Sequence, residues 1–288
     1  MEIGVQAHNL RMLQEAIKSS CSNIRFGSEF CMFRVPTKDQ LKEAYLLTKS
    51  SGKEFMYVVP RLSDNTLTKI QKHLAFLNQI GTIKVAVNDL GALHVLNKYT
   101  NLQPHLGRQL VYIPARCPWG NPAEFNVGFF IKRKIEKIFY KTSLNFKPTI
   151  KFFKSLGVQG ADIDFIPQCL PHFGFIVRNG INLSVHLHLI PVTTTRKCHL
   201  ARFLGEKTLE QCSKPCETVA FRMKNDELGD ELLLGGNVVF RSMMQKREDI
   251  RRLHNFNVSE IVITMNPLTG IASHQELNTF IKDTMTNR

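Results

Sequence analysis

Short runs of alternating apolar and polar residues recur along the chain, most of them followed by a polar turn and a segment with helical spacing. The runs are EIGVQAH (2–8), NIRFGS (23–28), EFMYVVP (54–60), IKVAVND (83–89), RQLVYIP (108–114), GADIDFI (160–166), GINLSVHLHLI (180–190) and SEIVITM (259–265). Their β-formers at period two predict eight strands. Between them LRMLQEAIKSS, TKDQLKEAYLLTKSSG, TLTKIQKHLAFLNQIG and LGALHVLNKY predict helices, the second opened by a capping box of Thr37 and Gln40. Strands alternating with helices mean an α/β fold, either a (β/α)8-type (TIM-like) barrel or an open doubly wound sheet. No Gly-rich phosphate loop follows a strand, which counts against a dinucleotide-binding sheet.

The strands favour the barrel. Strands buried on both faces of an open sheet read as continuous apolar runs, and these alternate. Ile181, Leu183, Val185, Leu187 and Leu189 share one face of the 180–190 run, with Asn182, Ser184, His186 and His188 on the other. Asp162 and Asp164 stand opposite Ala161, Ile163 and Phe165, and Gln6 and His8 stand opposite Val5 and Ala7. If the apolar faces pack on outer helices, the polar faces converge on a polar lumen or pocket. The alternative for 180–190 is a half-exposed strand of an antiparallel segment. Residues 1–288 are expected to form a single barrel domain, with a cysteine-containing loop segment at 197–240.

Charge changes the picture of partners. The chain holds 38 Lys and Arg against 24 Asp and Glu, a formal +14. That excess suits an anionic partner: RNA, an acidic protein or a carboxylate-rich small molecule. The basic stretch 131–157 alternates lysines with isoleucines and phenylalanines, as an amphipathic outer helix would, and no nucleic-acid-binding fingerprint accompanies it. No stretch reaches the roughly 20 apolar residues of a membrane span, and the N-terminus runs directly into a strand, so a cytoplasmic location is expected. Thiols stay reduced there, and seven cysteines then point to buried thiols, metal ligands or a nucleophile.

Three of those cysteines fall in KCHLARFLGEKTLEQCSKPC (197–216), and Cys31 follows the second strand. In a barrel, Cys31 and Cys198 both lie at the C-terminal ends of strands, where functional loops gather. Cys212 and Cys216 follow in a C-x3-C turn with Pro215. Four thiolates complete a shell for zinc or for an iron–sulfur cluster; scattered buried thiols are the alternative on spacing alone. Lys197, Arg202, Lys207 and Lys214 would compensate thiolate charge.

The C-x13-C-x3-C spacing at 198, 212 and 216, the fourth cysteine in SEFCMFRVPTKDQLKEA, and VAVNDLGALHVL at 85–96 together resemble the peptidase U32 family. The closest likeness is to its short members, the UbiU/UbiV-type proteins of oxygen-independent ubiquinone biosynthesis. The resemblance runs from the first strand to Cys216. It implies a [4Fe-4S] cluster on Cys31, Cys198, Cys212 and Cys216, hydroxylation of a quinone-precursor-like or other cyclic substrate without molecular oxygen, prephenate as an anionic oxygen donor, and a heterodimer with a paralogous U32 protein. A noncatalytic cluster-bearing subunit and RNA base hydroxylation are the alternatives, with RNA less favoured. Proteolysis is not expected, because no H-E-x-x-H or G-x-S-x-G motif occurs. The stretch VYIPARCPWGNPAEFNVGFF (111–130) departs from the ubiquinone type and suggests another substrate.

The remaining candidates each have a plainer reading. His186, His188 and Asp164 are candidates for acid–base work, and each equally fits a structural hydrogen bond or ion pair. Arg34 and Arg116 are candidate carboxylate clamps. His8 and Asn88 are candidate substrate contacts, although Asn88 and Asp89 also suit capping of the following helix. Cys21, Cys117 and Cys169 are expected to be buried thiols, with Cys117 beside Trp119 able to approach the pocket.

Overall fold

Eight parallel strands close into a barrel in the computed structural model, which describes residues 1–118, 126–210, 212–224, 231–243 and 245–285. They are β1 (Glu2–Ala7), β2 (Asn23–Gly27), β3 (Glu54–Val59), β4 (Ile83–Val87), β5 (Leu102–Leu106), β6 (Gly160–Asp164), β7 (Asn182–His186) and, after an insertion, β12 (Glu260–Thr264). The insertion is a four-stranded antiparallel sheet, ordered β8 (Leu189–Thr194), β11 (Val238–Ser242), β10 (Leu232–Gly235), β9 (Phe221–Met223). Helices α1 (Leu10–Ile17), α2 (Lys38–Ser50), α3 (Asp64–Ile80), α4 (Leu90–Leu96), α5 (Phe129–Phe139), α6 (Lys147–Ser155), α7 (Leu170–Arg178), α8 (His199–Phe203), α9 (Arg247–Arg252) and α10 (His274–Met285) complete the chain. The protein is therefore a (β/α)8 TIM-like barrel. Among the described residues no helix is long and apolar enough to cross a membrane.

Local chemistry starts the helices where the pattern predicts. Thr37 accepts from Gln40 N and the Gln40 side chain accepts from Thr37 N, so both halves of the capping box form. Asp89 accepts from Gly91 N and Ala92 N at the start of α4, while Asn88 does not cap.

Two strand expectations are corrected. The fifth strand is Leu102–Leu106, and the 108–114 run is loop ending in the 3-10 turn Pro114–Arg116. Pro104 removes a ladder donor and masks the strand in sequence. Pairing with β6 begins only at His105, and the Pro104 carbonyl still accepts from Gln159 N. The 180–190 run is broken rather than continuous. β7 ends at His186, His188 takes φ +70, and β8 leaves for the antiparallel sheet. Within the 197–240 segment expected as loop lie α8, β9, β10 and the start of β11.

The polar strand faces do converge inside the barrel, but they fill it. Arg25, fully buried on β2, donates to Asp162 Oδ1 (2.6 Å), lies 3.4 Å from Glu260 and meets His186 Nε2 (3.0 Å) and His105 Nε2 (3.4 Å). Burial alone would raise the Asp162 pKa; Arg25, His105 and His186 more than offset it and hold the carboxyl well below its usual range. The outward residues Val5, Ile24, Phe26, Tyr57, Val85 and Ile163 join the main hydrophobic core under the helices.

Replacing Arg25 with alanine strands Asp162 and Glu260 as buried carboxylates. The Arg25→Ala protein is expected to lose about 3–5 kcal/mol of stability in urea unfolding; a loss below about 1 kcal/mol would show the charges are not mutually dependent.

Acid should weaken the fold. Tyr57 Oη meets His73 Nδ1 at 2.8 Å, and burial, with Lys69 and Lys38, lowers the His73 pKa from 6.5 to about 4. The unfolded chain therefore takes up this proton at higher pH than the folded protein does. The stabilisation is full above about pH 6.5 and is lost as pH falls toward about 4. Burial lowers His8, His186 and His188 in the same direction. Thermal melts should fall across that window, and less steeply in His73→Gln; a flat profile would contradict the assignment.

Candidate functional site

At the C-terminal rim of the strands the chain builds a cavity of about 60 Å3 whose wall includes Cys31, Cys198, Cys212 and Cys216. Each thiol is delivered by different local chemistry. Gly27, at φ +128, lets β2 pass against the Val58 carbonyl, where a Cβ would come within 2.3 Å of that oxygen. The chain then turns through Ser28, whose Oγ accepts from Cys31 N (3.1 Å). Cys198 is the N-cap of α8 and its Sγ accepts from Ala201 N (3.4 Å). Cys212 Sγ accepts from Lys214 N (3.4 Å). Lys214 takes a left-handed conformation and starts the 3-10 turn Pro215–Glu217 that carries Cys216. Cys198, Cys212 and Cys216 share an apolar cluster with Leu200, Leu209 and Phe221.

The antiparallel sheet locks this segment to the barrel. Asn237, at the tip of the β10–β11 hairpin, donates to Phe30 O (3.0 Å) and Thr195 O (2.8 Å), tying the Cys31 loop to the stretch before Cys198. Glu217, next to Cys216, accepts from Asn9 Nδ2 (2.9 Å) and pairs with Arg34 (3.5 Å).

Charge in the cavity is positive and spare. Arg34 Nε and Nη2 are buried without a hydrogen-bond partner, Nη2 being the atom that pairs with Glu217 at 3.5 Å. Arg108 is committed: it donates to both Glu29 oxygens (2.8 and 2.6 Å), to Asp164 Oδ1 (3.0 Å) and to Leu189 O (2.8 Å). Burial raises the thiol pKa values of Cys31 and Cys198, and takes Cys216 to about 11, with Cys31 and Cys198 adding repulsion there. Burial, then Arg34, lowers His8 to about 3, so its ring is neutral at physiological pH. Its Nδ1 faces the Gly27 carbonyl at 3.0 Å and must carry the proton, which leaves Nε2 as a proton acceptor.

The other candidates lie elsewhere. His186 belongs to the Arg25 network in the lumen, and His188 packs edge-on against Phe280 (4.6 Å). The φ +70 turn therefore separates two histidines that strict alternation would place on one face. Asp164 is fully buried and accepts from Arg108 and Arg116, so it is an arginine anchor. Asn88 spends its side chain on Val59 O and Gln109 N. Arg116, Asn88 and the exposed Cys117 line a separate cavity of about 570 Å3 beside β8. Cys21 and Cys169 are buried, as expected, and Cys117 is not. Trp119 lies outside the described residues, as do 119–125 of the divergent 111–130 stretch. Sequence reasoning missed Glu29, Arg108, Glu217 and Asn237. Glu29, two residues before Cys31, and Glu217, directly after Cys216, carried a positional signal.

Gly236 meets Cys216 closely: it has φ +69, and a Cβ there would lie 3.3 Å from Cys216 Cβ. Gly236→Ala adds about 1–2 kcal/mol of local strain and should loosen the Cys216 turn. Maleimide labelling of Cys216, read by peptide mass spectrometry, should accelerate several-fold. Unchanged labelling would mean the hairpin tip does not hold that thiol.

No protein-family model matches the chain, and no curated protein matches it in sequence. Solved structures do. A protein from Aquifex aeolicus VF5 is similar with a TM-score of 0.52 and 10% identity, over 98% of this chain and 91% of that one. The U32 peptidase Mk0906 is similar with a TM-score of 0.48 and 12% identity, over 92% of both chains. Dihydropteroate synthase from Xanthomonas albilineans, in complex with 7,8-dihydropteroate, gives 0.40 and 10%, over 100% of this chain and 94% of that one. At such identities the likeness is one of barrel fold alone.

Proposed function

We propose that Cys31, Cys198, Cys212 and Cys216 hold a [4Fe-4S] cluster, and that the barrel uses it to hydroxylate a small cyclic substrate without molecular oxygen. The observation that carries this reading is the gathering of four thiols from distant parts of the chain on one cavity. A tetrahedral zinc site needs its donors about 2.0–2.3 Å from a single point. Among the described residues no three His, Cys, Asp or Glu side chains are so arranged. Four thiols lining one cavity match the donor set of a [4Fe-4S] cluster, one thiolate to each iron, and metal quantification separates this from zinc. The spare donors of Arg34 suit the negative charge of such a group.

Bound there, the cluster would supply one-electron chemistry, and the chain's own residues supply recognition. A cleft of about 370 Å3 shares Cys31, Cys198, Phe33 and Leu209 with the thiol cavity, and Arg61 and Arg196 line it. An anion of prephenate's character fits this combination, with carboxylates toward the arginines and its ring on Phe33, Leu62 and Leu209. Neutral His8 lines the thiol cavity and serves as a substrate contact through Nε2, not as a base, since its pKa of about 3 makes it a weak proton acceptor. Arg61 and Arg196 are proposed as carboxylate clamps in this cleft, while Arg116 faces the separate cavity beside β8 with its Nη2 unpartnered.

Anaerobic purification with iron, acid-labile sulfide and zinc quantified tests the reading. Near-stoichiometric iron and sulfide are expected, falling to a small fraction in Cys212→Ala. Zinc in place of iron, or iron unchanged in that variant, would sink it.

A further inference from the structure

Helix α5 is the least anchored long element of the barrel's outer layer, since none of its residues is buried. Phe129, Phe130, Ile131 and Ile138 are 63%, 81%, 56% and 61% exposed. The same helix carries Lys132, Arg133, Lys134 and Lys137 against one acid, Glu136, and Lys141 follows it. At about 100° per residue, Phe130, Lys134, Lys137 and Ile138 share the outward face. Large apolar side chains are not left on a charged outer face by folding energetics; a contiguous exposed patch of them marks an interaction surface.

We infer that α5 is a peripheral membrane-docking helix that lies on anionic lipid headgroups. Two properties of the helix select this occupant. First, the charge is complementary to a phosphate-rich surface, on a chain that is itself +14. Second, apolar and basic side chains are interleaved on a convex surface. In a bilayer interface the phenylalanines and isoleucines enter the acyl boundary while the lysine stems reach back to the phosphates, so both sets are satisfied together. An acidic protein would satisfy the lysines but would need a groove matched to four protruding apolar side chains. Single-stranded nucleic acid needs open ring faces for stacking. Phe129 offers no such face on one side, because the Arg133 guanidinium covers it at 4.7 Å, and Phe130 stands edge-on to it at 75° instead of forming a stacked platform with it. The inference is independent of the chemistry proposed for the thiol cavity.

Co-sedimentation of the full-length protein with vesicles tests it. One set is phosphatidylcholine alone, and the other is phosphatidylcholine and phosphatidylglycerol in equal parts. Binding to the anionic vesicles and not to the neutral ones is expected, weakened by high salt. Phe130→Ser combined with Ile138→Ser keeps every charge and should lower anionic-vesicle binding about tenfold. Lys134→Glu combined with Lys137→Glu should abolish it. All four positions are solvent-facing, and circular dichroism melts matching wild type confirm that the variants fold. Failure to bind anionic vesicles overturns the inference. Undiminished binding by the Phe130/Ile138 variant overturns it too, since the overall charge would then suffice. Retention on RNA or on an acidic polypeptide without vesicle binding assigns the helix to the other occupant and likewise overturns it.

Discussion

The barrel is organised around one buried cation. Arg25 projects from β2 into the lumen, where it joins Asp162 of β6, Glu260 of β12, His186 of β7 and His105 of β5. A lone guanidinium in that space would be far too costly to bury, and so would either carboxylate. Each is tolerable only because the others arrive in register from different strands. Closure of the barrel and satisfaction of these charges are thus the same event, which makes the polar lumen a source of strand register as much as of stability.

Above that layer the pattern repeats with progressively looser pairing. Arg108 is clamped by Glu29 and Asp164, and Asp164 also takes Arg116. Higher still, Arg34 has a single distant carboxylate in Glu217 and two buried nitrogens without hydrogen-bond partners. Arg25 Nε and Arg116 Nη2 are also buried without a hydrogen-bond partner, so unpaired donors occur in each of these layers. Arg34, with two such nitrogens beside the thiols, has the most left for a ligand.

These charge layers explain what was legible in the sequence. Period-two alternation identified seven barrel strands and the polar side of each, because burial of the apolar face is a local property of every strand. It could not say whether the polar faces enclose a pocket or neutralise one another, because Arg25, Asp162 and Glu260 meet only after closure. Pro104 hid β5, since its missing N–H is a penalty in any local reading and is tolerated only where pairing with β6 starts one residue later. His188 misled for the opposite reason: alternation continues through it in sequence, and only its positive φ ends the strand. The four cysteines stood out by type and spacing, whereas Asn237, which ties their loops together, looks like any hairpin asparagine until Phe30 and Thr195 are seen beside it.

The inserted sheet is what separates the thiol rim from a generic barrel mouth. β8 leaves the barrel immediately after His188 and pairs with β11, so the Cys198 segment and the β10–β11 hairpin tip are held by one ladder. Gly236 and Asn237 then bring that tip against Cys216 on one side and the Cys31 loop on the other. Three thiols reach the rim from the insertion and one from the barrel proper, and Glu217 bridges the two parts through Asn9 and Arg34. Any group bound by all four thiols would cross-link the insertion to the barrel and stabilise the assembled rim by mass action. The rim is in this sense a joint, and binding of such a group would be thermodynamically linked to the docking of the insertion.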